Sequence, residues 1–329
     1  MRKSLLAMLF GVLVIVATTS YAADPKDVTI ADPKDAASDV LIQGEYEGKS
    51  LGESGTKLGA QLVALGKNEF DVRLLKGGLP GAGWDNKTQW KAKAKTEDGK
   101  TTVTGKDFSG SIADSKLTIK IGDQPEVTLT RVERKSPTLG MKAPEGAVVL
   151  FDGTNVDAWQ GGKIVEQSDG KYLNVGVKSK QAFQNFTLHL EFRLPYMPTA
   201  RGQGRANSGL YFQNRYECQV LDSFGLKGEN NECAGIYQQF APVPNMCLPP
   251  LVWQTYDIDF TAATFDEAGK KTGPAKATIK HNGVVVHKDI EFKGPTGGGD
   301  PETNKPGPFQ LQNHGNPVVY RNIWVVEKK

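Results

Sequence analysis

The sequence predicts an all-β protein in two parts, a small antiparallel β domain followed by a β sandwich. Three observations predict the β class. The 329 residues include 37 glycines and 18 prolines with 9% aromatics, a mix that favours short strands and turns over long helices. Apolar and polar residues alternate with period two in several places, most clearly over residues 186–194. Asn282-Gly283 joins two apolar runs, a hairpin signal because both central residues of the tight turn need positive φ.

Residues 1–22 read as a cleaved secretory signal. Arg2 and Lys3 open it, residues 5–17 form an unbroken apolar run, and Ser20-Tyr21-Ala22 offers small residues for cleavage after Ala22. The run is shorter than the roughly 18–20 residues needed to cross a bilayer, and no cysteine follows it to carry a lipid anchor. The mature chain is therefore expected in the periplasm or outside the cell. Removing the signal takes 40 basic and 37 acidic residues to 38 and 37, a near-neutral balance that offers nothing to nucleic acid.

Residues 23–39 carry the pentapeptide Ala-Asp-Pro-Lys-Asp twice, from Ala23 and from Ala31, and read as a flexible lead-in. Residues 40–135 read as the small antiparallel domain, with strands at 57–65, 69–75, 101–104, 116–121 and 126–132. Between them, residues 76–84 are too glycine-rich for a strand and form a connector; with no following helix and no Gly-Lys-Ser/Thr they are not a phosphate cradle. Residues 136–147, rich in proline and glycine, form a linker. Residues 148–329 form the sandwich, with strands at 186–194, 210–212, 216–221, 255–260, 277–280, 284–288, 309–312 and 318–326.

Cys218, Cys233 and Cys247 are an odd count for an oxidising compartment, which implies one disulfide and one spare thiol. Cys233 with Cys247 is the expected bridge, since both lie in loop-like sequence, whereas Cys218 sits in a strand pattern as a small core residue.

Alternation also assigns faces. If Cys218 and Val220 are core, Glu217 and Gln219 face outward; by the same test His189, Glu191 and Arg193 oppose the apolar row of their strand, and Gln310, Gln312 and His314 oppose Phe309 and Leu311. Brought side by side, these rows would make a cleft of amides, carboxylates, arginine and imidazole, the chemistry that reads sugar hydroxyls. Tyr211, Tyr216, Tyr237 and Trp253 could stack on a ring, with core packing the more natural fate of Trp253.

From residue 148 onward the sequence resembles the 3-keto-disaccharide hydrolase family, whose fold is the jelly roll of concanavalin A and β-glucanases. The resemblance rests on Leu150-Phe151-Asp152-Gly153 with Trp159, Phe186 to Arg193, Asn207-Ser208-Gly209-Leu210-Tyr211, Tyr216 to Asp222, Gly235-Ile236-Tyr237, Trp253, Asn282-Gly283, Leu311-Gln312-Asn313-His314-Gly315 and Tyr320-Arg321-Asn322-Ile323. It implies action on glycosides oxidised at C3 of the sugar. A ketone there acidifies the C2 proton, so a base can remove it, the aglycone leaves from C1, and water adds back. Such a site needs a base, a stabiliser for the enolate oxygen and an acid for the leaving group. Glu217 is the candidate base, Arg193 or Arg321 the stabiliser, and His314 the acid or second base. Asn207, Gln219, Tyr237, Gln312 and Glu191 would hold the substrate.

Two other readings remain open from the sequence. An ordinary glycosidase needs two close carboxylates, but Gln219 stands where glucanases of this fold carry an acid, and Asp222 falls on the opposite face from Glu217. A noncatalytic glycan-binding module would need the amides and aromatics without the base. No cofactor is required by any motif. The acids of Phe265-Asp266-Glu267 and Gly298-Gly299-Asp300 leave a divalent cation open, without the spacing of a dedicated site.

Overall fold

The computed structural model describes residues 28–50 and 55–328. The expected signal and the first copy of the lead-in repeat lie outside the described residues.

Eight antiparallel strands make the first body: β1 (Gly44–Lys49), β2 (Lys57–Gly66), β3 (Glu69–Lys76), β4 (Gln89–Glu97), β5 (Lys100–Gly105), β6 (Phe108–Ala113), β7 (Lys116–Ile121) and β8 (Val127–Val132). Each pairs with the next, and β1 pairs with β8 through Tyr46 opposite Arg131, closing the sheet into a barrel. Period-two alternation decides what lies inside: β4 buries Ala92 and Ala94 and exposes Lys91, Lys93 and Lys95. Tyr46, Leu62, Phe70, Val72, Leu117 and Leu129 belong to one packed cluster, so the interior is a core and not a channel.

The second body is a sandwich built from β9 (Val148–Phe151), β10 (Trp159–Gln160), β11 (Ile164–Gln167), β12 (Gly170–Leu173), β13 (Val177–Phe183), β14 (Phe186–Arg193), β15 (Ser208–Phe212), β16 (Tyr216–Val220), β17 (Trp253–Thr261), β18 (Thr264–Phe265), β19 (Lys271–Gly273), β20 (Lys276–His281), β21 (Val284–Glu291), β22 (Gly307–Leu311) and β23 (Val319–Glu327). The smaller sheet runs β10-β13-β22-β15-β16. The larger runs β11-β12-β23-β14-β17-β20-β21 with β9 on β23. Their inner faces interdigitate: Phe186 of the large sheet meets Phe309 of the small one edge-on at 4.8 Å between ring centroids. Cutting such a fully buried ring to alanine costs about 3–5 kcal/mol. The β20–β21 hairpin turns at Asn282 and Gly283 with φ of 50° and 79°, and the Asn282 amide pins it by accepting from Thr255 N and donating to Met246 O, both at 2.9 Å.

Two segments expected to be loose are docked. Ile30 and Tyr196 exchange backbone hydrogen bonds, and Asp32 accepts from Ser168 N at 2.8 Å, so the described part of the lead-in is tied to the sandwich. The linker lies as a strap along the outer face of the large sheet. Ser136 bonds Thr255 at 2.6 Å, Thr138 donates to Asp257 at 2.6 Å, Gly140 N donates to Glu191 at 2.5 Å, and Met141 O accepts from Asn322 and Trp324. These short polar residues need no core of their own because the sheet supplies their partners.

Barrel and sandwich are bolted together. The Arg73 guanidinium donates from the barrel to the carbonyls of Gly225 and Leu226 at 2.5 and 2.8 Å, and Arg205 reaches back to Ala64 O at 3.3 and 3.4 Å. Arg73 is only 6% exposed and among the described residues makes no ion pair, so carbonyl dipoles and side-chain amides hold its charge, with Glu232 adding a favourable field.

The expected Cys233–Cys247 bridge is absent: all three cysteines are free and buried. Their sequence surroundings look loop-like, but Cys233 Sγ lies 3.2 Å from the Tyr256 hydroxyl and Cys247 faces the Leu221 and Leu248 carbonyls, inside the core. Cys218 is core, as its strand pattern predicts. Among the described residues no helix is long and apolar enough to cross a membrane.

Candidate functional site

The outer face of the small sheet carries one polar row across all five strands. Gln160 of β10 stands opposite Lys178 of β13, Lys178 opposite Gln310 of β22, Gln310 opposite Tyr211 of β15, and Tyr211 opposite Glu217 of β16. Their chain neighbours Trp159, Val177, Phe309, Leu311, Leu210 and Cys218 point the other way, into the core. The face is thus fixed by the hydrophobic side of the same strands.

Glu217 sits at the edge of this row. It is 2% exposed and lies flat over Gly209, where a Cβ would come within 2.2 Å of Oε1. That close approach is why a glycine interrupts β15. Oε2 accepts from the Tyr211 hydroxyl at 2.9 Å, and the same hydroxyl donates to Gly297 O at 2.9 Å; one proton serves one of these acceptors at a time. Among the described residues Oε1 accepts no hydrogen bond. Burial pushes the Glu217 carboxyl up to about 7, against the opposing pull of the Tyr211 bond. A carboxyl in that range exchanges its proton near neutral pH, as a general base must.

Around it, Gln219 donates to Gln203 Oε1 at 3.0 Å, and Asn207 donates to the Gln203 carbonyl and side chain at 2.8 and 3.1 Å. Asn207 is 1% exposed and its Oδ1 has no partner, an acceptor left over for a ligand hydroxyl or a water. Gln312 reaches the Tyr211 hydroxyl at 3.4 Å. Tyr237 hangs beside the row, its backbone N–H on Glu217 O, while Thr296 Oγ1 accepts from the Glu217 backbone N–H and Gly297 O from the Tyr211 hydroxyl. Glu217, Gln219, Asn207, Tyr237 and Gln312 are therefore brought together as expected. His314 is exposed on the loop that follows Gln312.

Arg193, Arg321 and Glu191 are not part of this face. They stand on β14 and β23 of the large sheet, and the core separates them from Glu217. Alternation correctly turns them outward, but outward from the other sheet. There Glu191 accepts from Arg321 Nε at 2.7 Å, Asn322 at 2.9 Å and the strap's Gly140. Burial would raise its carboxyl, but these bonds and that from His189 hold it down at about 2. Burial likewise opposes the charged His189 ring, yet Asp257, at 2.6 Å, and Glu191 raise its pKa. Arg193 forks onto Asp169 and bonds Gln167, and Trp253 lies within 4.7 Å of its guanidinium and 4.0 Å of that of Arg321. Tyr216 also leaves the candidate face: its ring is in the core. Of these residues Glu191 holds the strap directly, through Gly140 N.

Tyr211 was recognisable only as one aromatic among several; its contact with Glu217 depends on cross-strand register. Gln203 and Lys178 were missed, since no local pattern marks them. Asp222 pairs with Arg205 at 2.6 Å and so is committed away from Glu217. Among the described residues no group of three or more His, Cys, Asp or Glu side chains could hold a metal ion. Of the acids set aside for a cation, Asp266 accepts from Lys270 N within its own turn, and Asp300 accepts from Asn214. Recesses of about 660 and 770 Å³ lie elsewhere, on the barrel and along its junction with the sandwich.

Comparison with known proteins gives the sandwich a family context. Residues 146–326 match the 3-keto-alpha-glucoside-1,2-lyase-like domain. Among solved structures, a "putative glycosyl hydrolase" from Parabacteroides distasonis ATCC 8503 is 33% identical, with a TM-score of 0.50 over 57% of this chain and 86% of its own. A second structure under the same description from that organism is 16% identical, with a TM-score of 0.39 over 56% of this chain and 95% of its own. No curated protein matches the chain.

Proposed function

The chain belongs to the 3-keto-alpha-glucoside-1,2-lyase-like domain family through residues 146–326, and from that membership we propose that it is a carbohydrate-active enzyme that cleaves 3-keto-glycosides outside the cytoplasm. The observation that carries the reading is Glu217: a carboxyl near pKa 7 with one uncommitted oxygen, set in a row of amides on one sheet face.

In the proposed reaction Glu217 Oε1 takes the proton from C2, and the C–H electron pair moves into an enolate whose charge rests on the C3 oxygen. Collapse of the enolate forms the C1–C2 double bond and expels the aglycone oxygen, which takes a proton from His314 or from water. Water then adds across that bond: its hydroxyl goes to C1, its remaining proton returns to His314 or to solvent, and Glu217 gives its proton back to C2, leaving a free 3-keto sugar. Asn207, Gln203, Gln219 and Gln312 hold ring hydroxyls. The leader read from residues 1–22 supports an extracytoplasmic setting, where glycans are met.

The test is incubation of the purified protein with matched aryl glucosides and aryl 3-keto-glucosides, followed by aglycone release. Release from the 3-keto series alone supports the reading. Release from plain glucosides alone overturns the mechanism, and tight binding without release from either supports a glycan-binding module.

A further inference from the structure

With Arg193 and Arg321 on the opposite sheet, the enolate oxygen of the proposed reaction lacks the cation expected for it. We infer that Lys178 is the catalytic cation that binds the C3 oxygen, an assignment that rests on the 3-keto-glycoside reading. Lys178 stands in the same cross-strand row as Glu217, on the same outer face, half-buried beside Gln310. Among the described residues its ammonium makes no hydrogen bond and no ion pair. A half-buried lysine without a protein partner buries its stem and keeps its ammonium available to whatever occupies the face.

Distance agrees with the role. Lys178 and Glu217 are three strand spacings apart, about 14 Å between Cα atoms. An extended lysine side chain covers about 6 Å and a glutamate about 4 Å by bond geometry, so with the two leaning towards each other at least about 4 Å remains between their tips. One sugar edge, presenting its C2 proton to Glu217 and its C3 oxygen to Lys178, fills that gap. Gln310 and Tyr211 lie beneath it.

Three arginines of the sandwich are occupied. Arg205 is held by Asp222. Arg215 spends its guanidinium on Gln213, Pro301 O, Thr303 and Lys305 O. Arg201 donates to the carbonyls of Leu65, Pro198 and Ala200. Lys180 is exposed on the bulge between β13 and β22, out of the row.

The experiment compares wild type, Lys178→Met, Lys178→Arg and Lys180→Met on an aryl 3-keto-glucoside, with thermal unfolding as a folding check. The expected result is a loss of about 10²–10³-fold in kcat for Lys178→Met with KM little changed, partial recovery in Lys178→Arg, and near wild-type rates for Lys180→Met. An active wild type with an equally active Lys178→Met overturns the assignment and leaves the reaction standing. A wild type inert towards 3-keto-glucosides overturns the reaction itself, and the role of Lys178 in it.

Discussion

Replacing Glu217 with glutamine separates a working base from a structural carboxyl. In the fold the Glu217 carboxyl sits at about 7, against 4.5 for an ordinary glutamate. The gap corresponds to about 3 kcal/mol spent on ionising it in place. Below 4.5 the group is neutral in both folded and unfolded chains and the cost is absent. As pH rises the unfolded chain releases its proton first, so stability falls between 4.5 and about 7 and the full cost persists above. Glu217→Gln removes that cost. Urea unfolding should therefore find the variant and wild type alike near pH 4, and the variant more stable by up to about 3 kcal/mol at pH 8, allowing for its altered bond to Tyr211. Activity moves the other way. Wild-type kcat/KM should climb through about pH 7 to a plateau, about 100-fold lower at pH 5 because only the ionised fraction is a base. The variant should lose at least about 10²-fold at the plateau. A variant that keeps turning over, or a stability difference that does not change with pH, would refute the assignment of Glu217 as a buried, protonatable base.

Gly209→Ala places a methyl 2.2 Å from Glu217 Oε1; the carboxylate must swing off its floor, so turnover should fall while the circular dichroism spectrum stays near wild type. Glu191→Gln weakens the hold on Arg321 and on the His189 imidazolium and should destabilise by about 3 kcal/mol in denaturant titration. Part of that penalty is pH-dependent: the charged His189 ring contributes fully below 6.5 and fades as pH passes its raised folded value, so the gap to wild type should narrow in alkali. The three buried, unbridged cysteines predict three thiols per chain in a denaturing titration without reductant; a count of one would show a disulfide.

The residue pattern alone carried a good deal of this. Alternation in β14 and β16 told which side of each strand met a core, and it was right for Cys218, Val220, Glu217 and Gln219. It could not tell which sheet each strand joins, because pairing is set between residues far apart in the chain. Hence His189, Glu191 and Arg193 were drawn to Glu217 although they face away from it. Barrel closure was hidden for a related reason: β1 and β8 meet across the whole domain, and β4 alternates lysine with alanine, too small to announce a core. Cys233 and Cys247 misled because their segments lack a strand pattern yet are buried by the strands around them.

The strap along the large sheet also determines where the chain can be cut. Its Ser136, Thr138, Gly140 and Met141 are the outer wall of the His189–Glu191–Asp257 cluster. A sandwich expressed from residue 148, where its first strand begins, would open buried charges to water along one whole flank. The boundary that keeps the sandwich intact lies ahead of Ser136, before what the sequence presents as a spacer, and lengthening that spacer would loosen the cover on the large sheet before it freed the barrel.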